Sequence, residues 1–484
     1  MKRVLRRGLI GVGVGVVALA TVLAVNTVRF APPDVAQPEP FDLGADLDRA
    51  VQTLSQAVQY RTVSTDLSAP DFPGFVDFLT RAYPSVHGAM QREILTANTV
   101  LLKWPGQTPD LAPVLIAAHY DVVPVAPGSE DRWTYPAFEG AVADGYVWGR
   151  GTLDDKGGLV AILSAAEHLI DQGFTPQRDI YFSFGGDEEV GGRGAFAVAK
   201  HLIDNDIRLA WALDEGSFVL DGIIPGLPKP VASINTSEKG YLTLNLIARA
   251  PGGHSALPPQ ITAAGRVARA VDRLQMAPLP GGLDGLSAEF FDALARHFSL
   301  ERRVLFANDW LFGPVIENVL SGANTTNAML RTTTAPTMLR GSSKENVLPT
   351  EAVATVNFRL HPRDTVEGVI AHVVAAIDDP EVEVVMAGDH ASEASPVASS
   401  SAQGYVDIES SILAVFGDVI PVPGMTIAAT DARHYALAAE GAYRISPFQL
   451  TDDDLARFHG TDERLSIDNL GKGIDFYGRL IGLQ

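Results

Sequence analysis

Cysteine is missing from this chain of 484 residues, and positive charge is scarce. Without a thiol the chain cannot form disulfide bonds, thiolate zinc sites or iron–sulfur clusters, so any metal ion must be held by His, Asp and Glu. The 37 Lys and Arg residues are outnumbered by 58 Asp and Glu residues, which gives a formal charge of -21. Such a surface repels phosphate backbones, and we expect no nucleic-acid partner.

The N-terminus combines a cluster of cations with a long uncharged run. Residues 8–25 carry no charge and would rise about 27 Å as a helix, close to the thickness of a bilayer core. We expect a membrane anchor within residues 1–30, with the body outside the cytoplasm. A signal peptide cleaved near 18–20, which would give a secreted protein, is the alternative. Residues 31–41 are rich in proline and predict a stiff stalk. The preceding cations are Lys2, Arg3, Arg6 and Arg7.

Beyond the stalk, short apolar runs alternate with stretches of helical periodicity. The runs at 114–118, 180–184 and 209–213 resemble buried strands, and 159–170 has the pattern of a helix between two of them. This order predicts an α/β fold with a mixed, mainly parallel sheet sandwiched by helices. Ligands of such sheets bind beyond the carboxyl ends of the strands.

The pattern changes near residue 231. Residues 241–249 and 352–360 alternate apolar and polar positions, which is typical of antiparallel strands with one covered face. We therefore expect residues 231–388 to form an inserted α+β lid or dimerisation domain. The segment 278–340 within it fits no simple pattern and suggests a lid or a partner contact. The first domain then consists of two parts, 42–230 and 389–484.

Metal-competent side chains recur just after the predicted strands. His119 follows the first run, and Asp154 opens a helix in the glycine-rich stretch GRGTLDDKGG. Glu188 and Glu189 follow the next strand in GGDEEVGG, and Asp214 follows the third. A lone strand-end histidine is usually structural and an acidic loop is usually solvated. Four such positions gathered at one sheet edge favour a pair of divalent metal ions that share a carboxylate. Zinc, manganese and cobalt suit these ligands.

The ordered motifs of the chain resemble a known family. They are HYDVVP, GRGTLDDKGG, GGDEEVGG, DEG, GGHSALPP, NVLP and TDARHY. From about residue 45 to the end, the chain resembles the dinuclear zinc peptidases that include carboxypeptidase S, aminoacylase and the glutamate carboxypeptidases. GGHSALPP and FHGTDERLSID are most similar to the carboxypeptidase S branch, which also contains N-acyl amino acid hydrolases. The resemblance implies two divalent metal ions, with zinc expected, and a possible homodimer through the inserted domain.

The resemblance also implies which residues hold the metals. Asp154 would bridge the two ions, and Glu189 and His459 would complete one of the two sites. Sequence spacing alone does not choose His459 over His434, which lies in TDARHY. Asp155 neighbours the bridge and receives no role. The full implied ligand set is His119, Asp154, Glu189, Asp214 and His459.

Catalytic and substrate-binding roles follow from the same resemblance. Glu188 would act as general base, and Asp121 would orient the His119 imidazole. His254 would help to stabilise the tetrahedral oxyanion. Asn346 and Arg359 would contact the substrate, since an arginine suits a free carboxylate.

The function expected from these residues is metal-dependent hydrolysis of an amide bond. The substrate would be a peptide with a free C-terminal residue or an N-acyl amino acid. An aminopeptidase is an alternative, although it would give Arg359 no role. A catalytically inactive ligand-binding or scaffolding protein is another alternative, and the presence of every implied ligand and of Glu188 counts against it.

Overall fold

The computed structural model describes residues 2–33, 37–388 and 390–484, and the side chains of residues 2–6 and 8 fall outside this description. Residues 34–36 of the predicted stalk therefore lie outside the described residues, as do most of the N-terminal cation side chains. The chain divides into two compact units. The larger unit contains residues 36–238 and 395–484, and the smaller contains residues 1–35 and 239–394.

The helices extend over ranges that cover both units. They are α1 (Lys2–Arg29), α2 (Leu47–Val58), α3 (Asp71–Ala82), α4 (Pro84–Ala89), α5 (Lys156–Asp171), α6 (Arg193–Asp204), α7 (Ala263–Met276), α8 (Gly285–Ala295), α9 (Leu300–Phe306), α10 (Asp309–Leu320), α11 (Asn324–Leu330), α12 (Val366–Ile377), α13 (Gln403–Phe416), α14 (Ala432–Tyr435), α15 (Asp452–Leu455) and α16 (Ile467–Gly482).

The strands belong to several sheets. They are β1 (Gln91–Ile94), β2 (Val100–Trp104), β3 (Val114–His119), β4 (Val142–Ala143), β5 (Tyr146–Trp148), β6 (Ile180–Gly185), β7 (Trp211–Asp214), β8 (Val219–Leu220), β9 (Val231–Glu238), β10 (Gly240–Arg249), β11 (Gly253–His254), β12 (Thr333–Arg340), β13 (Val347–Leu348), β14 (Glu351–Leu360), β15 (Val382–Met386), β16 (Ile420–Thr426), β17 (Ala442–Arg444), β18 (Gln449–Leu450) and β19 (Arg464–Ser466).

The larger unit is built on one mixed sheet. Its strand order is β1-β2-β6-β3-β7-β17-β9-β8-β18, and β16 also pairs with β9. The central strands β6, β3, β7 and β17 run parallel, whereas β1 and β2 are antiparallel additions at one edge. This arrangement confirms the predicted α/β fold with a mainly parallel central sheet.

Helices cover both faces of this sheet, which explains why its strands are continuous apolar runs. All six residues of β3 are buried. Val114 and Ile116 pack into one core with apolar residues of α5 and α16, whereas Leu115 and Ala117 pack into another core with α6. Full burial of such aliphatic side chains contributes roughly 1.5–3 kcal/mol each.

The parallel strands place three site residues at one sheet edge. His119 is the last residue of β3 and Asp214 is the last residue of β7, and β6 ends at Gly185, shortly before Glu189 in the carboxylate-rich loop. Because β6, β3 and β7 are neighbours with the same direction, their carboxyl ends lie side by side.

The smaller unit contains an antiparallel sheet in the order β12-β14-β10-β15. Along β10 the residues alternate between buried and half-buried positions, and β14 repeats the pattern. The buried side chains pack against α7 and α12. One covered face therefore accounts for the alternation that the sequence displays.

The segment that fits no simple pattern is mostly helical. It forms α8, α9, α10 and α11 before the chain returns to the sheet as β12. Within the described part of the chain, α9 has no buried residue, and α10 buries only Ile316. These helices therefore keep many apolar side chains at the surface.

A buried histidine connects the small sheet to this helical segment. His361 follows β14, and its Nε2 lies 2.9 Å from Ser287 Oγ of α8. Its Nδ1 accepts a hydrogen bond from Arg363 Nε at 3.0 Å. Burial, together with the positive charges of Arg363 and Lys239, lowers the pKa of His361 to about 3 from its ordinary value of 6.5.

The smaller unit should therefore lose stability in acid through His361. Between pH 6.5 and 3 the unfolded chain binds a proton at this residue that the folded chain does not, so the free energy of unfolding falls as the pH is lowered. The slope is at most about 1.4 kcal/mol per pH unit. In denaturant titrations between about pH 4 and 7, a range that covers most of this window, His361→Asn should flatten the dependence of the free energy of unfolding on pH. An unchanged slope, equal to that of the control His372→Asn, would contradict the prediction.

Candidate metal centre

Three ligand-type side chains meet at the edge of the large sheet. One atom each of His119, Asp154 and Glu189 lie within 4.8 Å of one another, which is close enough to hold a metal ion. His119 ends β3, and Asp154 lies in the loop that leads from β5 to α5. Glu189 lies in a short 3-10 turn directly after β6. Different parts of the sequence thus deliver these groups to one place.

The carboxylate of Asp154 lies between two histidines. Its Oδ1 is 2.8 Å from His119 Nε2, and its Oδ2 is 2.6 Å from His459 Nε2. The same His459 nitrogen lies 3.4 Å from Glu189 Oε1. Each oxygen of one buried carboxylate therefore faces a different imidazole, as a carboxylate shared between two adjacent cation sites would.

The electrostatics of the cluster reflect this crowding of charge. The hydrogen bonds to Asp154 and Glu189 raise the pKa of His459 to about 10. Burial alone would lower the pKa of His119, but its contacts with Asp121 and Asp154 outweigh burial and raise it well above the ordinary value. Burial raises the pKa of Asp214 to about 6, and it raises the pKa of Glu189 as well.

Several buried oxygens of the centre lack hydrogen-bond partners within the described part of the chain. Asp214 Oδ2, Asp155 Oδ1 and Asp431 Oδ1 are such atoms. An unsatisfied buried polar atom is costly, and buried carboxylates are normally paired with cations or metals. A set of carboxylate oxygens and imidazole nitrogens without thiolate suits zinc, manganese or cobalt. The residues present therefore fit a divalent metal site.

Asp121 fixes both the histidine and the acidic loop. Its backbone oxygen lies 3.0 Å from His119 Nδ1, so that nitrogen carries the proton and Nε2 faces Asp154. Its carboxylate is fully buried and accepts hydrogen bonds of 3.1 Å from the backbone N–H groups of Glu188 and Glu189. One residue, through its backbone oxygen and its carboxylate, thus holds three groups of the site.

Asp214 and Asp155 lie beside the group of three. Both are buried, and burial raises the pKa of each of them, although the positive charge of His119 acts in the opposite direction. The carboxylate of Asp155 packs against Gly158 so closely that a Cβ at that glycine would overlap it. Asp155 therefore fills the first turn of α5.

The loop that carries His459 is held by a buried ion pair. Arg150 donates to the backbone oxygens of His459 and Gly460 at 3.1 and 3.0 Å, and it is paired with Glu463. Glu463 also accepts hydrogen bonds from the backbone N–H groups of Gly151 and Leu153. Both Arg150 and Glu463 are buried. This pair joins the loop of His459 to the loop of Asp154.

His459 itself has φ 57, in the left-handed region that non-glycine residues rarely adopt. The Arg150–Glu463 pair accounts for how that conformation is held. Sequence reasoning gave neither residue a role, although both lie in the quoted motifs GRG and TDER. The available signal was that unassigned charged residues lie in motifs that already contained proposed ligands.

Asp431 and Glu215 are two further carboxylates that sequence reasoning did not single out. Asp431 is buried, and its negative charge contributes to the raised pKa of Glu188. Gly192 packs against Asp431 where a Cβ would overlap the carboxylate. Burial raises the pKa of Glu215 well above its ordinary value, and so do the negative charges of Asp154 and Glu188. The ring of His434 lies 3.3 Å from the backbone oxygen of Gly191.

The remaining sequence-predicted residues belong to the smaller unit. His254 is exposed on β11, and the neighbouring Ser255 N–H donates to the backbone oxygen of Asn346 at 3.1 Å. Arg359 lies on β14 with its guanidinium 5.1 Å from the centre of the Tyr241 ring. The structure thus brings His254 and Asn346 together at the two-stranded antiparallel sheet of β11 and β13 and places Arg359 on the four-stranded sheet.

Comparisons with known proteins point to one family. Residues 115–482 match the family model "Peptidase family M20/M25/M40". A probable carboxypeptidase S-like protein of Dictyostelium discoideum is 39% identical over 96% of this chain and 92% of its own length. An N-fatty-acyl-amino acid synthase/hydrolase of Xenopus tropicalis is 37% identical over 89% of this chain and 85% of its own length.

Among solved structures, an M20 family metallo-carboxypeptidase from Sulfolobus solfataricus has a similar fold. Its TM-score is 0.63 at 18% identity, and the alignment covers 90% of this chain and 98% of that one.

Glu463→Gln should weaken metal binding without touching a ligand-type side chain of the cluster. The substitution removes the negative charge that faces the buried Arg150 guanidinium, and the loop carrying His459 loses its hold. Loss of such supporting contacts typically costs about 10- to 100-fold in metal affinity. Because burial raises the pKa of Glu463 to about 7, zinc competition titrations should be made above that pH.

Hydrogen exchange of residues 459–461 should rise in the same variant, and the exposed Glu440→Gln serves as the matched control. Equal zinc affinity and equal exchange in Glu463→Gln and Glu440→Gln would refute the role assigned to the ion pair.

Proposed function

The chain belongs to peptidase family M20/M25/M40, whose members are metal-dependent hydrolases, and we propose that it cleaves the amide bond next to an amino acid with a free carboxylate. The substrate is a peptide with such a C-terminal residue or an N-acyl amino acid. The observation that carries this proposal is the Asp154 carboxylate, which lies between His119 and His459 with Glu189 alongside.

Two divalent ions, with zinc the expected metal, would be held by five residues. Asp154 bridges, since each of its oxygens faces one histidine. The position of Glu189 within 4.8 Å of the ligand-type atoms of His119 and Asp154 supports its assignment as a ligand, and an unpartnered buried oxygen supports that of Asp214. When bound, such ions polarise an amide carbonyl and lower the pKa of a water molecule. The five residues are His119, Asp154, Glu189, Asp214 and His459.

Glu188 is the proposed general base. It precedes the ligand Glu189, and its backbone N–H is fixed by Asp121 at 3.1 Å. Burial raises its pKa well above the ordinary value, and the negative charge of Asp431 adds to the effect. A carboxylate with a raised pKa is a stronger base, so Glu188 can take a proton from the attacking water and pass it to the leaving nitrogen.

Substrate contacts are proposed for three residues of the smaller unit. His254 donates a hydrogen bond to the oxyanion of the tetrahedral intermediate, and Asn346 contacts the substrate backbone. Arg359 pairs with the free carboxylate, because a guanidinium binds a carboxylate with two parallel hydrogen bonds. This pairing distinguishes the proposed activity from that of an aminopeptidase, which must recognise a free amine.

Two substrate classes are supported by the relatives. A relative at 39% identity is described as carboxypeptidase S-like, and another at 37% as an N-fatty-acyl-amino acid synthase/hydrolase. Both descriptions involve an amide bond beside an amino acid. We therefore propose the free carboxylate as the recognition element that both substrate classes share. Comparing an N-blocked dipeptide with a long-chain N-acyl amino acid distinguishes the two classes.

We also propose that α1 anchors the protein in a membrane with its hydrolase body outside the cytoplasm. The stretch Leu9–Arg29 is long and apolar enough to cross a bilayer, and its apolar window is not buried within the structure. Four cations precede it in the sequence, which favours a cytoplasmic N-terminus.

Glu188→Gln should abolish most of the hydrolysis and leave metal binding intact. Removing a general base typically lowers kcat by about 10²- to 10⁴-fold. Metal content by mass spectrometry should match the wild type, since Glu188 is not a proposed ligand. The exposed Glu93→Gln is the control and should retain full activity. Hydrolysis within twofold of the wild type in a fully metal-loaded Glu188→Gln sample would rule out this residue as the base.

Arg359→Met should reduce the preference for substrates with a free carboxylate. A panel would contain an N-blocked dipeptide, a long-chain N-acyl amino acid and the C-terminal amide of each. Loss of a hydrogen bond to a charged group costs about 1.5–3 kcal/mol, which corresponds to roughly 10- to 150-fold in kcat/KM. Exposed Arg340→Met in β12 is the control. If the wild type hydrolysed the amides as well as the acids, or required a free N-terminal amine, the proposed recognition would be wrong.

A further inference from the structure

Helices α9 and α10 present an apolar surface, here called the 300–319 face. Leu311, Val315 and Val319 are spaced four residues apart and therefore lie on one side of α10. Val315 and Val319 are 55% and 67% exposed. A globular protein usually directs such a stripe into its core, so its exposure calls for a partner. The stripe consists of Leu311, Val315 and Val319, and Leu300 of α9 and Trp310 of α10 are further exposed apolar side chains of the same two helices.

The C-terminal end of α1 is attached to the same helices. Asn26 donates to the side chain of the buried Asn308 at 3.0 Å, and Asn308 donates in turn to the backbone oxygen of Leu23 at 3.3 Å. Arg303 of α9 donates to the backbone oxygen of Thr27 at 3.1 Å. These polar contacts hold the end of α1 between Asn308 and Arg303.

A second pair of contacts extends this attachment beyond the helix. Arg296, which directly follows α8, donates to the backbone oxygen of Ala31 at 3.2 Å. Its guanidinium also lies 4.5 Å from the centre of the Phe30 ring. Residues from Leu23 to Ala31 are therefore held by the helical segment, whereas Leu9 and Val17 are 68% and 66% exposed.

The position of these contacts along α1 locates a bilayer surface. The stretch Leu9–Arg29 has the length and composition to cross a bilayer, and the polar contacts of Leu23, Asn26 and Thr27 with the helical segment lie near its C-terminal end, where the bilayer surface would be. Arg303 lies in α9 and Asn308 directly precedes α10, so both helices adjoin these contacts. Trp310, at the N-terminal end of α10, is a residue type enriched at the interface between membrane and water.

We propose that the 300–319 face rests on the surface of the bilayer that α1 spans, so that the protein is held by both. This inference rests on the membrane anchor of the proposed function and adds to it a second, interfacial contact. An apolar helix face of this kind binds by placing its side chains at the boundary of headgroups and acyl chains. Acidic residues such as Glu301, Asp309 and Glu317 occur on the same helices, so we commit to an uncharged lipid surface.

The contact has a consequence for the substrate. A long-chain N-acyl amino acid partitions into a bilayer, because each buried methylene contributes about 0.8 kcal/mol. A hydrolase held against that surface by the 300–319 face meets such a substrate at its highest local concentration.

The absence of cysteine allows a direct test in the full-length chain. Three single-cysteine variants, labelled with the environment-sensitive dye NBD, are placed in phosphatidylcholine vesicles with and without doxyl-labelled lipid. Val315→Cys reports on the 300–319 face, and Val17→Cys reports on α1. Val374→Cys is the matched control, since Val374 is 53% exposed on α12 of the same unit. Circular dichroism and thermal melting that match the unlabelled protein verify that each labelled protein is folded.

The proposal expects loss of most NBD fluorescence at positions 315 and 17 with doxyl lipid, and none at 374. Val319→Cys repeats the measurement if Val315→Cys fails to fold. Quenching at 17 without quenching at 315 and 319 would overturn the interfacial contact and leave the anchor standing. No quenching at any position would overturn both. In detergent without vesicles, NBD fluorescence at 315 that rises with protein concentration would show that a second copy of the chain covers the face. That result would also overturn the proposal.

Discussion

A single buried carboxylate, that of Asp154, carries the architecture of the site. Its two oxygens face His119 and His459, which are separated by 340 positions in the chain, so the fold must bring both ends of the larger unit together. The supporting contacts serve the same requirement. Asp121 fixes His119 and the acidic loop, and the Arg150–Glu463 pair fixes the loop of His459. Buried carboxylates at this density are normally compensated by cations or neutralised by protonation.

Most of the fold could be predicted from the sequence, because the burial of one or both faces of an element gives its apolar residues a recognisable pattern. The uninterrupted apolar runs of β3 and β6 reflect a sheet covered on both faces, and the alternation of β10 reflects a sheet covered on one. The helices between 285 and 330 were not predictable in the same way. They leave apolar side chains exposed, so their pattern lacks the contrast between a buried and a solvated face on which such predictions depend.

For the candidate site, strand-end reasoning predicted that His119, the neighbouring Glu188 and Glu189, and Asp214 lie at one sheet edge, since the ends of parallel strands are fixed by the sheet. It could not choose between His459 and His434. That choice depends on a loop held in a left-handed conformation by Arg150 and Glu463, a contact between residues more than 300 positions apart. The structure places His459 beside Asp154 and the ring of His434 beside Gly191. Asp431 was overlooked because its role depends on burial, which the sequence does not reveal.

The strand order of the large sheet also determines how late in synthesis the sheet can be completed. Strand β17 (Ala442–Arg444) pairs with β7 on one side and β9 on the other, although β9 ends at Glu238. At about 5–20 residues per second, a nascent chain would keep the middle of this sheet open for roughly 10 to 40 s after β9 emerges. His459 follows later still. A growing polypeptide therefore cannot bring His459 to Asp154 early. Newly made protein gains its hydrolytic capacity only when translation is almost finished.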